Sequence, residues 1–161
     1  MRKENFAVYG IQMSIPDDWR VEMNPKDTRA KGDIAFHTPK GNRFFVSWGR
    51  LDDAKSRFPT LKEHRDGQVK RLKSGQVSKV SIKESRDDII NGHEALFSKV
   101  TAETSEGMFS RRSSERNMWS VHFYCPEKSR YYTVYCLLRD PAEYESVDSV
   151  FNDLVRSTTC H

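Results

Sequence analysis

The residues best able to bind a metal or act as nucleophiles are three cysteines and five histidines. They are Cys125, Cys136, Cys160, His37, His64, His93, His122 and His161. No two of them form a Cys-x-x-Cys or His-x-x-x-His pair, the short spacings typical of zinc sites. His122 and Cys125 are three residues apart on a predicted strand, so their side chains should point to opposite faces. The sequence therefore predicts no metal site and no cofactor.

Three pairs of adjacent aspartates are the remaining candidates for catalysis: Asp17-Asp18, Asp52-Asp53 and Asp87-Asp88. General acid–base catalysis needs two carboxyl groups in different environments, whereas adjacent aspartates near strand ends more often form turns or cap helices. The sequence contains no Gly-x-Ser-x-Gly elbow, Walker loop or dinucleotide fingerprint. Cys136 should be inert in an apolar strand, which leaves Cys125 as the more reactive thiol. We therefore expect a protein without catalytic residues, and not an enzyme.

The distribution of charge is more informative than the candidate catalytic residues. The formal net charge is +4, which permits an acidic partner or a nucleic acid without requiring either. We define the basic helix surface as Arg57, Lys62, Arg65, Lys70, Arg71 and Lys73, and we expect it to bind a partner. The C-terminal segment is acidic instead, with Asp140, Glu143, Glu145, Asp148 and Asp153. Ordinary solvated helix surfaces are the alternative interpretation of both segments.

Alternating apolar residues and turn sequences predict three hairpins, together with two short strands on either side of Gly10, that would position these side chains. The expected strands are 6–9 and 11–15 around Gly10, 33–38 and 43–50 around Pro-Lys-Gly-Asn, 77–90 and 93–103 around Asn91-Gly92, and 117–125 and 130–138 around Pro-Glu-Lys-Ser. Residues 130–138 are apolar on both sides, which is typical of a central strand. Three core faces are expected: Ile11, Met13 and Ile15; Phe44, Val46 and Trp48; and Trp119, Val121, Phe123 and Cys125.

Two helices are predicted from their capping sequences and periodicity. Thr60 and Glu63 form a capping box at the start of the first helix, and Gly75 marks its end. Asp140 should cap the second helix, with Pro141 at its first position and Glu143 completing a capping box. The second helix has an apolar stripe of Tyr144, Val147, Val150, Phe151, Leu154 and Val155.

These elements predict an α+β fold, with an antiparallel sheet and helices packed on its faces, in a single domain over residues 1–161. Pro16 should end the strand at 11–15 and Asp17-Asp18 should turn the chain, so that Trp19 folds back onto the core. Trp19, Trp48 and His37 are also candidates for a cleft at the sheet edge.

The chain has no apolar run long enough for a membrane span and no apolar segment of a signal peptide. With an odd cysteine count, this favours the cytoplasm, or export with a leader removed.

The succession of an aromatic residue, Gly10, alternating apolar residues, Pro16 and Trp19 resembles the opening of PsbP-like proteins. Later features follow in similar order, including a strand at 43–48, the Ile-Asn-Gly-His-Glu-Ala-Leu turn, paired aromatic strands and a C-terminal amphipathic helix. The fold of that family is shared with the nuclear Ran-binding protein Mog and with PsbP-related lipoproteins. The resemblance implies an α/β/α sandwich and a role in protein binding rather than catalysis.

Three hypotheses for function follow from the sequence. The first is a non-enzymatic accessory domain that binds another protein through the basic helix surface, and the charge of that surface suits an acidic partner. The second is binding of nucleic acid or another polyanion through the same residues, which is less favoured because no RNA-recognition motif is present. The third is a small-molecule or metal site near Trp19, Trp48 and His37.

Overall fold

The computed structural model describes residues 2–73, 77–105, 113–138 and 141–161. The strands are β1 Lys3–Val8, β2 Ile11–Pro16, β3 Arg20–Met23, β4 Gly32–His37, β5 Arg43–Arg50, β6 Val77–Ile90, β7 His93–Ser105, β8 Ser113–Cys125 and β9 Arg130–Leu138. The helices are α1 Leu51–Arg57, α2 Leu61–Leu72 and α3 Tyr144–Ser157. Within the described residues, β3 to β9 form one antiparallel sheet in the order β3-β4-β5-β9-β8-β7-β6, and β1 pairs with β2 alone.

The three predicted hairpins are confirmed, and the two short strands predicted around Gly10 pair as a fourth. Tyr9-Gly10 and Asn91-Gly92 turn the chain with positive φ at both positions, 52° and 80° in the first turn and 48° and 85° in the second. Two-residue turns of this kind match the twist of antiparallel strands, and glycine adopts the second position without steric cost. Strand β9 lies between β5 and β8, as its apolar residues on both sides predicted.

One face of the sheet carries the main core, which α3 and the β1–β2 hairpin cover. The predicted core faces of β2, β5 and β8 all lie in it, and so do Val147, Phe151, Leu154 and Val155 of α3. Trp19 folds back as predicted, because Pro16 ends β2 and a turn follows. Its ring stacks on Phe44 with centroids 4.7 Å apart.

The opposite face of the sheet is covered by α1 and α2. Its apolar core is small, and the buried members are Val69, Val100 and Met118. The Thr60–Glu63 capping box at the start of α2 is confirmed, since each residue bonds the other's backbone N–H. The predicted stop at Gly75 lies outside the described residues.

Three local predictions are corrected by the structure. Asp52-Asp53 lie in the first turn of α1, a helix that the sequence did not predict. Asp87-Asp88 lie inside β6 rather than in a turn. Helix α3 begins at Tyr144 after a 3-10 turn over Pro141–Glu143, and no side chain caps it. The carboxylate of Glu143 accepts instead from the amide of Asn42, at 2.7 Å, and Asp140 lies outside the described residues.

None of the helices in the described part of the chain is long and apolar enough to cross a membrane.

Candidate functional site: a cationic cleft

A cleft of about 460 Å³ opens where α1 and α2 meet the connection between β3 and β4. Its lining comes from five parts of the chain: Thr28, Ala30 and Lys31 of the connection, Gly49 and Arg50 of β5, Asp53, Ala54, Arg57 and Phe58 in and after α1, His64 and Arg71 of α2, and Tyr131 of β9. The amide of Leu51 donates to the carbonyl of Ser129 at 2.9 Å and so fixes the start of α1 at the sheet. The helix therefore presents Arg57 at the cleft.

The aromatic groups in the cleft are held by close packing against two glycines. The rings of His64 and Tyr131 meet edge-on with centroids 4.9 Å apart, and Phe58 stacks on His64 at 5.2 Å. A Cβ at Gly49 would lie 2.4 Å from the Tyr131 ring, and one at Gly67 would lie 2.4 Å from the Phe58 ring. A larger residue at either position would displace these rings.

The charged residues of the cleft are predominantly cationic. Lys31, Arg50, Arg57 and Arg71 line it, together with one carboxylate, Asp53. All five of these side chains belong to exposed residues. An arrangement of this kind attracts anions, and guanidinium groups bind carboxylates or phosphates through paired hydrogen bonds.

The groups at the base of the cleft are neutral near pH 7. Burial, with a smaller contribution from Arg71, lowers the pKa of His64 to about 4. Burial also raises the pKa of the Tyr131 phenol. The positive potential of the cleft therefore comes from its arginines and lysine, while His64 and Tyr131 offer uncharged hydrogen-bonding groups.

A buried polar layer lies beneath α2. His122, on β8, is completely buried, and neither of its ring nitrogens has a hydrogen-bond partner among the described residues. Burial is the main cause that lowers the pKa of His122 to about 3. The guanidinium of Arg65 donates to the hydroxyls of Ser85 at 2.9 Å and Ser98 at 3.2 Å. This layer attaches α2 to the sheet through polar contacts.

The structure divides the predicted basic helix surface into three groups. Arg57 and Arg71 line the cleft, and Lys62, Lys70 and Lys73 are exposed along α2 outside it. Arg65 is the correction, because its side chain is 3% exposed and pairs with Asp66 at 2.6 Å. Arg65 lies on the side of the helix that faces the sheet, where it holds α2 in place and is not available to a partner.

The predicted cleft of Trp19, Trp48 and His37 does not form. Trp19 and Trp48 are buried in the main core, and the indole of Trp48 donates to the carbonyl of Thr28. The strand register pairs Gly32 with Trp48 at one end of β4 and His37 with Arg43 at the other. His37 also points to the opposite face of the sheet from Trp48 and contacts Glu22 at 2.8 Å. Trp48 and His37 therefore lie at opposite ends and on opposite faces of this part of the sheet, and the three side chains do not line one cleft.

The acidic residues of α3 lie on the face opposite the cleft, and two of them are paired. Asp148 lies 3.2 Å from Lys99 and Asp153 lies 2.8 Å from Lys3. The charge of α3 is therefore partly neutralised by neighbouring strands.

A second group of chemically capable residues was missed by the sequence analysis. His93, Cys125, Cys160 and His161 place one potential ligand atom each within 4.8 Å of one another. Apart from the adjacent pair at the chain end, they are more than thirty residues apart in the sequence, so no local spacing indicates the cluster. As predicted, Cys125 and His122 point to opposite faces of β8. Cys136 lies apart from the cluster in β9, where burial raises the pKa of its thiol.

The sequence matches no protein-family model and no curated protein. Among solved structures, it is similar to the cyanobacterial PsbP protein CyanoP from Synechocystis, with 11% identity and a TM-score of 0.63 over 99% of this chain and 92% of that one. It is also similar to the Ran-binding protein Mog1p from Saccharomyces cerevisiae, with 10% identity and a TM-score of 0.66 over 99% of this chain and 96% of that one. At such identities the likeness shows the fold alone. The chain thus has the α+β fold of PsbP and Mog1.

Proposed function

We propose that this chain is a non-enzymatic binding domain that holds an acidic segment of a partner protein in the cationic cleft. The observation that carries the proposal is the charge of the cleft, where four cationic side chains accompany one carboxylate among the described lining residues. A cleft of about 460 Å³ is large enough for one or two side chains of a partner. Aspartate and glutamate side chains match both its charge and the geometry of its guanidinium groups.

The surface around the cleft supports attraction of an acidic partner. Lys62, Lys70 and Lys73 extend the positive charge along α2. The two carboxylates of α2 are engaged within the helix, since Glu63 accepts from Thr60 and Asp66 accepts from Arg65. Exposed charges of one sign increase the rate of encounter with a partner of the opposite sign.

The proposal assigns recognition, and no catalysis, to the base of the cleft. A neutral imidazole at His64 and a neutral phenol at Tyr131 can hydrogen-bond to a bound carboxylate without adding charge. Mog1p, which shares the fold, is a Ran-binding protein, and this is in keeping with a protein partner. We also propose a cytoplasmic location, where thiols stay reduced, because the cysteine count of three is odd.

Nucleic acid is the competing ligand, because phosphates would be attracted by the same cations. Binding to nucleic acid releases counterions, so its affinity falls steeply as the salt concentration rises. A protein interface that adds apolar and hydrogen-bonded contacts loses less affinity with salt.

Affinity capture from a lysate of the source organism, with nuclease and at two salt concentrations, tests the proposal. The variant Arg57→Glu/Arg71→Glu reverses two cleft charges. The control Lys79→Glu/Lys83→Glu reverses two exposed charges on β6, outside the cleft. We expect a protein that survives nuclease and moderate salt, is retained by the control and is lost from the cleft variant. Recovery that disappears with nuclease, or that is equal for both variants, would overturn the proposal.

A further inference from the structure

Four potential metal ligands meet at one end of the main core, and none of them lines the cleft. His93 begins β7, Cys125 ends β8, and Cys160 and His161 end the chain. His93, Cys125 and Cys160 are buried, and His161 covers them from the exposed side. Three separate segments of the chain therefore supply one cluster.

The ligand atoms of the cluster converge on Cys160. Its Sγ lies 3.3 Å from Nε2 of His93, 3.2 Å from Nδ1 of His161 and 2.7 Å from Sγ of Cys125. Nδ1 of His161 is also 3.7 Å from Sγ of Cys125. Both imidazoles thus direct one ring nitrogen at the sulfur atoms. The other ring nitrogen of His93 lies 3.7 Å from the carboxylate of Glu127.

Backbone contacts hold the C-terminal segment at this position. Gln12 of β2 and Thr159 exchange two backbone hydrogen bonds, of 3.0 Å and 2.8 Å, immediately before Cys160. The side-chain amide of Asn91, in the turn that precedes His93, donates to the carbonyl of Thr158. The same turn therefore contacts the C-terminal segment and positions the first histidine.

We propose that His93, Cys125, Cys160 and His161 bind one zinc ion in a closed tetrahedral site. Two thiolates and two imidazoles are a common ligand set for structural zinc, with Zn–S distances of about 2.3 Å and Zn–N distances of about 2.0–2.1 Å. Tetrahedral geometry then separates ligand atoms by about 3.3–3.8 Å, which is close to the sulfur–nitrogen distances of 3.2 Å, 3.3 Å and 3.7 Å here. Binding releases the two thiol protons to solvent and moves the two sulfurs apart. The carboxylate of Glu127 behind His93 is the kind of outer contact that orients zinc-bound histidines.

The principal alternative is a disulfide between Cys125 and Cys160. A disulfide would account for the approach of the two sulfurs. It would not account for the two imidazole nitrogens directed at the same point or for the carboxylate behind His93. Because four protein ligands leave no open coordination position, the proposed site is structural and fastens the chain end to β7 and β8. It replaces the expectation, from the sequence, that the chain holds no metal.

The test uses the full chain without a polyhistidine tag, kept reduced and analysed for metal by mass spectrometry and for coordination by cobalt substitution. We expect about one zinc ion per chain. Cobalt should give the thiolate charge-transfer absorption and visible bands of a tetrahedral site. The variants Cys160→Ser and His161→Gln should lose stoichiometric zinc. Cys136→Ala and His37→Gln, a cysteine and a histidine outside the cluster, should retain it.

His161 is exposed at the chain end, so His161→Gln gives an answer even if Cys160→Ser does not fold. The cobalt spectrum of the unmodified chain gives a further answer without any variant. The proposal is overturned if the reduced chain binds no stoichiometric zinc, or if cobalt gives no thiolate absorption. Alkylation that shows Cys125 joined to Cys160 in protein isolated under reducing conditions would also overturn it.

Discussion

The imidazole ring of His64 on α2 meets the ring of His122 on β8 edge-on, with centroids 5.1 Å apart. Burial lowers the pKa of His122 to about 3 and that of His64 to about 4. The positive charge of Arg65 also lowers the pKa of His122, and that of Arg71 also lowers the pKa of His64. Helix α2 therefore covers the sheet through a pair of histidines that stay uncharged in the folded chain at pH 7.

We predict that this pair makes folding stability fall as the pH is lowered below 6.5. In that range the unfolded chain protonates both histidines while the folded chain keeps them neutral down to pH 3–4. Each such proton costs about 1.4 kcal/mol of stability per pH unit. We measure the slope of unfolding free energy against pH by urea denaturation between pH 6 and 5. In His122→Leu this slope should decrease by about 1.4 kcal/mol per pH unit, which corresponds to one proton fewer taken up on unfolding.

Thr133 provides the matched control for that measurement. It lies opposite His122 in the β8–β9 register and is buried, but its side chain does not titrate. Thr133→Val should change stability without changing the slope. Equal slopes for His122→Leu and the unmodified chain would contradict a neutral buried His122.

We predict that Gly67→Ala destabilises the chain, although alanine in a helix interior usually stabilises by about 1 kcal/mol relative to glycine. The new methyl group would lie 2.4 Å from the ring of Phe58, which stacks on His64. In a Phe58→Ala background the same substitution should become stabilising. A double-mutant cycle of unfolding free energies measures this, and additive effects of the two substitutions would contradict it.

Arg65 should behave as a structural residue and not as part of a docking surface. We predict that Arg65→Ala lowers the free energy of unfolding by roughly 2–4 kcal/mol, because it removes a buried side chain and leaves the buried hydroxyl of Ser98 without its charged donor. Lys62→Ala, an exposed change on the same helix, should stay within about 0.5 kcal/mol of the unmodified chain. Denaturant unfolding of the two variants separates the roles, and equal stabilities would show that Arg65 is dispensable to the fold.

Trp19 likewise has a structural role in the core. We predict that Trp19→Ala costs about 3–5 kcal/mol, since it removes the ring stacked on Phe44. Trp19→Phe keeps an aromatic ring and should cost less. Thermal unfolding of both variants checks the order, and a neutral Trp19→Ala would instead indicate a residue free to serve a ligand.

The hairpins and the main core could be predicted because they depend on local patterns. Asn91-Gly92 fixes a turn by itself, and the alternation in β8 determines which side chains are buried. Helix α1 could not be predicted in the same way. It has 7 residues, of which two, Leu51 and Ala54, are buried. Its contacts with β5 and β9 support it. Such short helices depend on tertiary packing more than on their own sequence.

The candidate sites were less predictable, because they depend on which side of an element a residue occupies and on distant contacts. Arg65 and Arg71 are both basic residues of α2, yet the first faces the sheet and the second lines the cleft. The thin apolar stripe of α2, Leu61, Val69 and Leu72, indicated only that His64 or Arg65 lies on the buried side, and the structure buries both. The cluster around Cys160 depends on the bridge between Gln12 and Thr159, which joins residues far apart in the chain.

The claim that the cationic cleft is a protein interface can be tested by site-specific photo-crosslinking. A photoreactive amino acid would replace Ala30, an exposed residue that lines the cleft, or Glu145, an exposed residue of α3 on the opposite face. In nuclease-treated lysate we predict a protein adduct from position 30 that Arg57→Glu/Arg71→Glu abolishes, and none from position 145. Adducts from position 145 alone, or adducts at position 30 that the charge reversal leaves unchanged, would contradict the claim.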